Sequence, residues 1–192
     1  MSAAATRAAV LDDWSTIHTP DCPLHLEPRD PPIAAASLAA MLARPPATLE
    51  YEGAPDGIAD HYGDLPNDHV TDVAAQARRF AKVMCVATVR VRIERVDSNA
   101  CKKIHADYTD VRLITTYAGP GTDVAPHASE DDRSECCLER VPTGWIGLFK
   151  GRTYGSNHPP CFHRSPPAGD LGAKRLVLVI DTPSSPEVPI SQ

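Results

Sequence analysis

Three stretches constrain this chain most: Val89–Glu94 (VRVRIE), Val111–Tyr117 (VRLITTY) and Lys174–Asp181 (KRLVLVID). In the first, Val89, Val91 and Ile93 alternate with Arg90, Arg92 and Glu94, the period of a strand with one dry and one wet face. The third is rich in β-branched residues and apolar almost throughout, which makes it the strongest strand of the chain. Trp145–Phe149, followed by Gly151, adds a fourth. Nineteen prolines imply many loops and few long helices. Two helices are expected. One spans Ala34–Ala43 and is stopped by Pro45-Pro46. The other runs from Asn67 or Asp68 to about Lys82, where Val70, Val73, Ala74, Ala77, Phe80 and Ala81 form one apolar stripe. Helices first and short strands after predict an α+β fold with a sandwich or barrel of antiparallel strands.

The remaining segments read as connections. Residues 1–32 are expected as an irregular arm, broken by Pro20, Pro23, Pro28, Pro31 and Pro32. Residues 33–182 form one domain, within which 47–66 reads as loop. Residues 123–142 are polar and acidic, and their length favours a lid or binding loop over a plain connector. Residues 183–192 are Pro- and Ser-rich and are expected to be disordered. The formal net charge of −6 argues against nucleic-acid and anionic-membrane partners. No apolar run approaches ~20 residues, so no transmembrane helix is expected. Acidic residues follow the Ala-rich start too soon for a secretory signal, which points to the cytoplasm. In that setting the six cysteines are expected to be reduced.

The chemistry concentrates in Cys101–Thr122 (CKKIHADYTDVRLITTYAGPGT). In His105-Ala106-Asp107 an imidazole and a carboxylate stand two residues apart, and on extended backbone both point to one side. His163, 58 residues on in CFHRSPP, is the best third ligand. Two His and one carboxylate form the facial triad of non-haem Fe(II) oxygenases, with positions left open. Arg175 follows His163 by 12 residues at the start of the last strand, and a guanidinium there suits a carboxylate. Arg112 would hold a substrate carboxylate if it faces the interior, and the Tyr117 phenol would hydrogen-bond a bound oxoacid. The rival set is softer: Cys101 and Cys161 flank the two histidines, and Cys/His ligation in a closed tetrahedron suits structural Zn(II). Cys136-Cys137 would add thiolates, though adjacent cysteines rarely share one ion. His18, His25, His61, His69 and His127 have no partner spacing and read as solvated, and His158 reads as an exposed turn residue.

The pattern CxxxHxD-x4-RLxTTYxGPGT, with HRSPP and KRLVLVID, resembles the DUF1826 family, an uncharacterised bacterial family, over most of residues 68–182. That name implies no activity. The ligand order is also similar to that of the Fe(II)/2-oxoglutarate dioxygenase superfamily. This similarity implies a double-stranded β-helix (cupin- or jelly-roll-like) core preceded by helices. It also implies Fe(II) on His105, Asp107 and His163, and the distal carboxylate of 2-oxoglutarate on Arg175. The implied reaction is hydroxylation of a small-molecule or peptide substrate, coupled to oxidative decarboxylation of 2-oxoglutarate. The alternative is a zinc-binding protein of metal homeostasis without oxygenase activity. A third class is an interaction module using the acidic 130–135 segment.

Overall fold

The structure is a computed structural model that describes residues 14–134 and 137–183. Nine strands are described: β1 (Leu24–Glu27), β2 (Ala47–Gly53), β3 (Val89–Val96), β4 (Val111–Ala118), β5 (Asp123–Val124), β6 (Glu139–Arg140), β7 (Ile146–Lys150), β8 (His163–Arg164) and β9 (Arg175–Asp181). Three α-helices precede most of them: α1 (Ala35–Leu42), α2 (Ile58–His61) and α3 (Asn67–Met84). Six strands form one antiparallel sheet in the order β1-β7-β4-β9-β3-β2, and three form a small sheet in the order β6-β5-β8. Backbone around His105 pairs with His163 and extends the small sheet beyond β8. From β3 onward the chain crosses repeatedly between the two sheets, from β4 to β5, β6 to β7, β7 to β8 and β8 to β9, so two staggered layers wind round one interior. This is a double-stranded β-helix with an antiparallel core, as the ligand order implied.

The burial of β9 explains its composition. Leu176, Leu178 and Ile180 face α3, where they pack with Val73, Ala77, Phe80, Leu113 and Leu148. Val177 and Val179 face the interior with Ile114, Val124, Phe149 and Cys161. A strand covered on both sides reads as a continuous apolar run. The two inward-facing ends of β9 are the exceptions, Arg175 and Asp181, both buried. Helix α3 lays its apolar stripe across the outer face of the large sheet. It ends at Cys85, whose left-handed backbone (φ 54°) closes the last turn.

The two expected helices, α1 and α3, fall within two residues of their expected ends, whereas the short α2 lies in the 47–66 segment expected as loop. Two expected connections contain strands. The glycines and prolines of 47–66 predict a loop. However, Ala47, Leu49 and Tyr51 alternate inward with outward Thr48, Glu50 and Glu52, and β2 pairs with β3 from Ala47↔Arg95 to Gly53↔Val89. The expected irregular arm holds β1, which pairs with β7. Pro23 and Pro28 bracket this strand without entering it, as an edge strand allows. The 123–142 segment is a loop bracketed by β5 and β6. The expected disordered tail lies, from residue 184, outside the described residues.

His69 corrects the reading of solvated histidines. It lies on the inner stripe of α3, is fully buried and meets the Tyr117 ring edge-on at 4.7 Å. Burial depresses its pKa from 6.5 to about 4, against the opposing pull of Asp72 and Asp68. The unfolded chain therefore binds a proton that the folded chain refuses between those two values, and stability falls as pH drops through that window. The full shift corresponds to about 3 kcal/mol. Urea unfolding of wild type and His69→Leu at pH 7 and pH 4.5 measures this. The variant is expected to lose about 2 kcal/mol less than wild type on acidification. Equal losses would show that His69 does not carry the effect.

Candidate metal centre

His105 and His163 sit directly opposite each other on antiparallel backbone. His105 N–H donates to His163 O at 2.9 Å, and His163 N–H donates to His105 O at 2.8 Å. Side chains opposed in this way project to one face, and the ring centroids lie 4.9 Å apart. Two residues past His105, Asp107 returns to the same face. Ligand atoms of His105, Asp107 and His163 all lie within 4.8 Å of one another. His105 Nε2 is 3.4 Å from Asp107 Oδ1, and His163 Nε2 is 3.4 Å from Oδ2. Phe149 packs its ring 4.9 Å from that of His163 and holds it from behind.

The backbone sets the tautomers. His105 Nδ1 donates to Lys103 O at 2.8 Å, and His163 Nδ1 donates to Cys161 O at 3.1 Å. A carbonyl only accepts, so each neutral ring keeps its proton on Nδ1 and turns the Nε2 lone pair toward Asp107. Two lone pairs aimed at a carboxylate repel it unless a cation stands between. Arg112 Nη1 lies 2.7 Å from Asp107 Oδ2. Its N–H bonds are not directed at that oxygen, so Oδ2 is buried without a hydrogen-bond donor. These groups fit a first-row divalent ion held by three protein ligands with further positions open.

Protons compete for the same atoms. A proton taken up at His105 Nε2 would be shared with Asp107, and that hydrogen bond raises the pKa of His105, against burial. Burial works to raise the pKa of Asp107, but hydrogen bonding with the two histidines when they carry a proton at Nε2, together with the charge of Arg112, overcomes it. The carboxyl is held well below the usual carboxylate range, so the cluster presents an ionised oxygen donor at any ordinary pH.

Arg175 opens into the same cavity of about 150 Å³ as the three ligands. It donates from Nε to Pro120 O at 2.8 Å, from Nη2 to Thr116 Oγ1 at 3.3 Å and from Nη1 to Ser165 Oγ. Burial lowers its pKa to about 10, so it remains a cation at neutral pH. Its hydrogen-bond partners are all neutral, and no carboxylate of the described residues lies within ion-pair distance. A buried guanidinium without a counter-ion marks a place for an anion. The Gly-Pro-Gly turn serves this corner. Gly119 (φ 81°) packs so close to Lys174 O that a Cβ would lie 2.2 Å from it, and a Cβ on Gly121 would lie 1.9 Å from Val141 O.

Other expected site residues fall elsewhere. Along β4, Arg112, Ile114 and Thr116 face the cavity, so Tyr117 faces α3. Its hydroxyl donates to Asp72 Oδ2 at 2.6 Å within the outer core, out of reach of any ligand in the cavity. Arg112 does face inward, but Asp181 and Asp107 engage its guanidinium. Cys101 is exposed at the cavity rim with φ 55°. Cys161 is buried, and burial pushes its thiol pKa far up. Neither joins the ligand cluster, so among the described residues no closed Cys/His cage exists. Cys137 is free and exposed, and Cys136 lies outside the described residues. His158 is half-buried beside Lys150, with Nδ1 3.1 Å from Nζ. Sequence reading missed Thr116, Ser165, Asp181, Arg92 and Glu94. The period of two marked some of them, since Asp181 shares a face with Arg175, and Ser165 shares one with His163.

A family model described as a protein of unknown function, DUF1826, matches residues 11–181. The chain belongs to the DUF1826 family. No curated protein matches it in sequence. Among solved structures it is similar to the dioxygenase for auxin oxidation 1 from Arabidopsis thaliana in complex with 2-oxoglutarate (11% identity, TM-score 0.46). That match covers 73% of this chain, which spans only 64% of the plant enzyme. It is similar to the viral collagen prolyl hydroxylase of Paramecium Bursaria Chlorella virus-1 (11% identity, TM-score 0.46, 85% of this chain and 97% of that one). It is also similar to a Pseudomonas putida prolyl-4-hydroxylase (11% identity, TM-score 0.46, 84% and 94%).

The donor set makes a direct prediction. Calorimetric titration with Co(II) is expected to show one site, weakened about 100-fold or more in Asp107→Ala and His163→Ala. Cys101→Ser and Cys161→Ala are expected to stay within about threefold of wild type. Loss of binding in a cysteine variant would instead favour the Cys/His set.

Proposed function

We propose that this protein is a non-haem Fe(II)- and 2-oxoglutarate-dependent oxygenase that hydroxylates a small-molecule or peptide substrate in the cytoplasm. One observation carries the reading. Two imidazole lone pairs and a half-buried carboxylate converge in a cavity that also holds Arg175, a buried cation without a counter-ion among the described residues. A divalent ion and a carboxylate ligand answer those two needs together. Among the described residues no helix is long and apolar enough to cross a membrane, and five described cysteines are free, which suits a reducing compartment.

His105, Asp107 and His163 would hold Fe(II) and leave its remaining positions open toward the cavity. Such a centre, loaded with 2-oxoglutarate and oxygen, supplies an oxidant for a C–H bond. The protein's own part is placement. Arg175 binds the distal carboxylate and so orients the oxoacid, while Thr116 and Ser165 fix the guanidinium. Ile114, Val177 and Val179 line the cavity with apolar surface, which keeps water from the reacting face.

The test is an anaerobic titration of the apo-protein with Fe(II), with and without 2-oxoglutarate. A visible charge-transfer band is expected only when both are present. Arg175→Ala is expected to weaken 2-oxoglutarate binding about 100-fold while Fe(II) binding persists. Absence of the band in wild type, with Fe(II) bound, would refute the co-substrate.

A further inference from the structure

A chain of alternating charges runs along the cavity wall from the metal centre. Asp107 Oδ2 meets Arg112 Nη1 at 2.7 Å. Arg112 then donates from Nε and Nη2 to Asp181 Oδ1 and Oδ2, at 2.6 and 3.0 Å. Asp181 Oδ2 lies 3.5 Å from Arg92 Nη2, and Arg92 Nη1 lies 3.1 Å from Glu94 Oε1. Arg112 and Asp181 are directly opposed in the β4–β9 register, so their two-bond contact is built into the sheet. That contact occupies one whole edge of the guanidinium. The remaining nitrogen faces Asp107 and cannot turn away without breaking both bonds.

The charges around this interior balance. Arg92, Arg112 and Arg175 stand against Glu94, Asp107 and Asp181. With neutral imidazoles, a divalent ion leaves the cavity two positive, and a dianion restores neutrality. Of the three arginines, Arg112 alone touches a metal-ligand side chain. Its contact with Oδ2 is one of charge, not a directed hydrogen bond. A cation at that position opposes a divalent ion nearby and attracts a dianion nearby.

We propose that Arg112, fixed by Asp181, is a positioning residue that sets the charge at the metal centre. It weakens the hold of Asp107 on the divalent ion and strengthens that of the loaded centre on a dianionic oxoacid. This inference rests on the metal-centre reading above. Its signature is a pair of effects with opposite signs. A plain cross-link would give one sign only, because loosening Asp107 harms both ligands.

The experiment uses Co(II), followed by its visible absorption, and then 2-oxoglutarate added to the Co(II)-loaded protein, in wild type, Arg112→Gln and Arg112→Lys. In Arg112→Gln, Co(II) is expected to bind about fivefold or more tighter, and 2-oxoglutarate about tenfold or more weaker. Arg112→Lys keeps the charge and gives up the two-bond grip, so both constants are expected within about threefold of wild type. Weakening of Co(II) binding by about 10- to 100-fold in either variant is the mark of a structural partner and would overturn the proposal. Unchanged constants in Arg112→Gln would overturn it as well. If Arg112→Gln does not fold by circular dichroism, Arg112→Lys alone decides between charge and geometry. A wild-type protein that fails to bind Co(II) would refute the metal centre itself, a result separate from either variant.

Discussion

The two backbone hydrogen bonds between His105 and His163, at 2.9 and 2.8 Å, are the constraint on which the candidate site depends. They bring together residues 58 positions apart and set which face their side chains take. A slip of one residue would turn one imidazole to the outer face and replace it with Ile104, Ala106 or Phe162. Those residues already fill a small apolar cluster on that outer side. The slip would therefore expose apolar surface and bury polar surface in one step. Register at this point is held by the burial pattern on both faces, not by the two bonds alone.

The elements legible in the sequence were those with a clean period. Helix α3 shows a stripe at spacings of three and four, and β3 shows strict alternation. The ligand triad was legible because His-x-Asp carries its own geometry on an extended chain. Strand β2 was not, though its inward Ala47, Leu49 and Tyr51 alternate cleanly. Glycine and proline just beyond Gly53 masked it. The faces of β4 were not legible either. VRLITTY is apolar or β-branched at most positions, and both faces of the strand are buried, so no contrast told Tyr117 from Thr116. Only the pairing of Arg112 with Asp181 shows which parity faces the cavity.

Tyr117, on the outer face of β4, belongs to a polar network in the core beneath α3. Its hydroxyl and Arg29 share the Asp72 carboxylate, with Arg29 Nη1 at 2.6 Å from Oδ1. Gln76 adds a third donor at 3.0 Å. Burial works to raise the pKa of Asp72, but these donors and the charge of Arg29 prevail and lower it. Three donors around one buried carboxylate satisfy it fully, and such a network fixes helix against sheet. It also ties in the segment before β7, since Arg29 Nε donates to Gly144 O at 2.8 Å.

The interior face inverts that logic. There, Arg175 has neutral partners only, and Asp107 Oδ2 has no hydrogen-bond donor. On this face Arg175 has no counter-ion among the described residues, and Asp107 has the charge of Arg112 beside it but no directed donor at Oδ2. Unpaired buried charge is costly, and a fold retains it where something else completes it. Arg175 and the three-residue cluster line one cavity. A small cation would answer the two imidazole lone pairs and Asp107 Oδ2 but leave Arg175 unmatched, and an anion on Arg175 would leave the triad unfilled. A divalent ion on the triad together with an anion on Arg175 would answer both, which is the arrangement the proposed function requires.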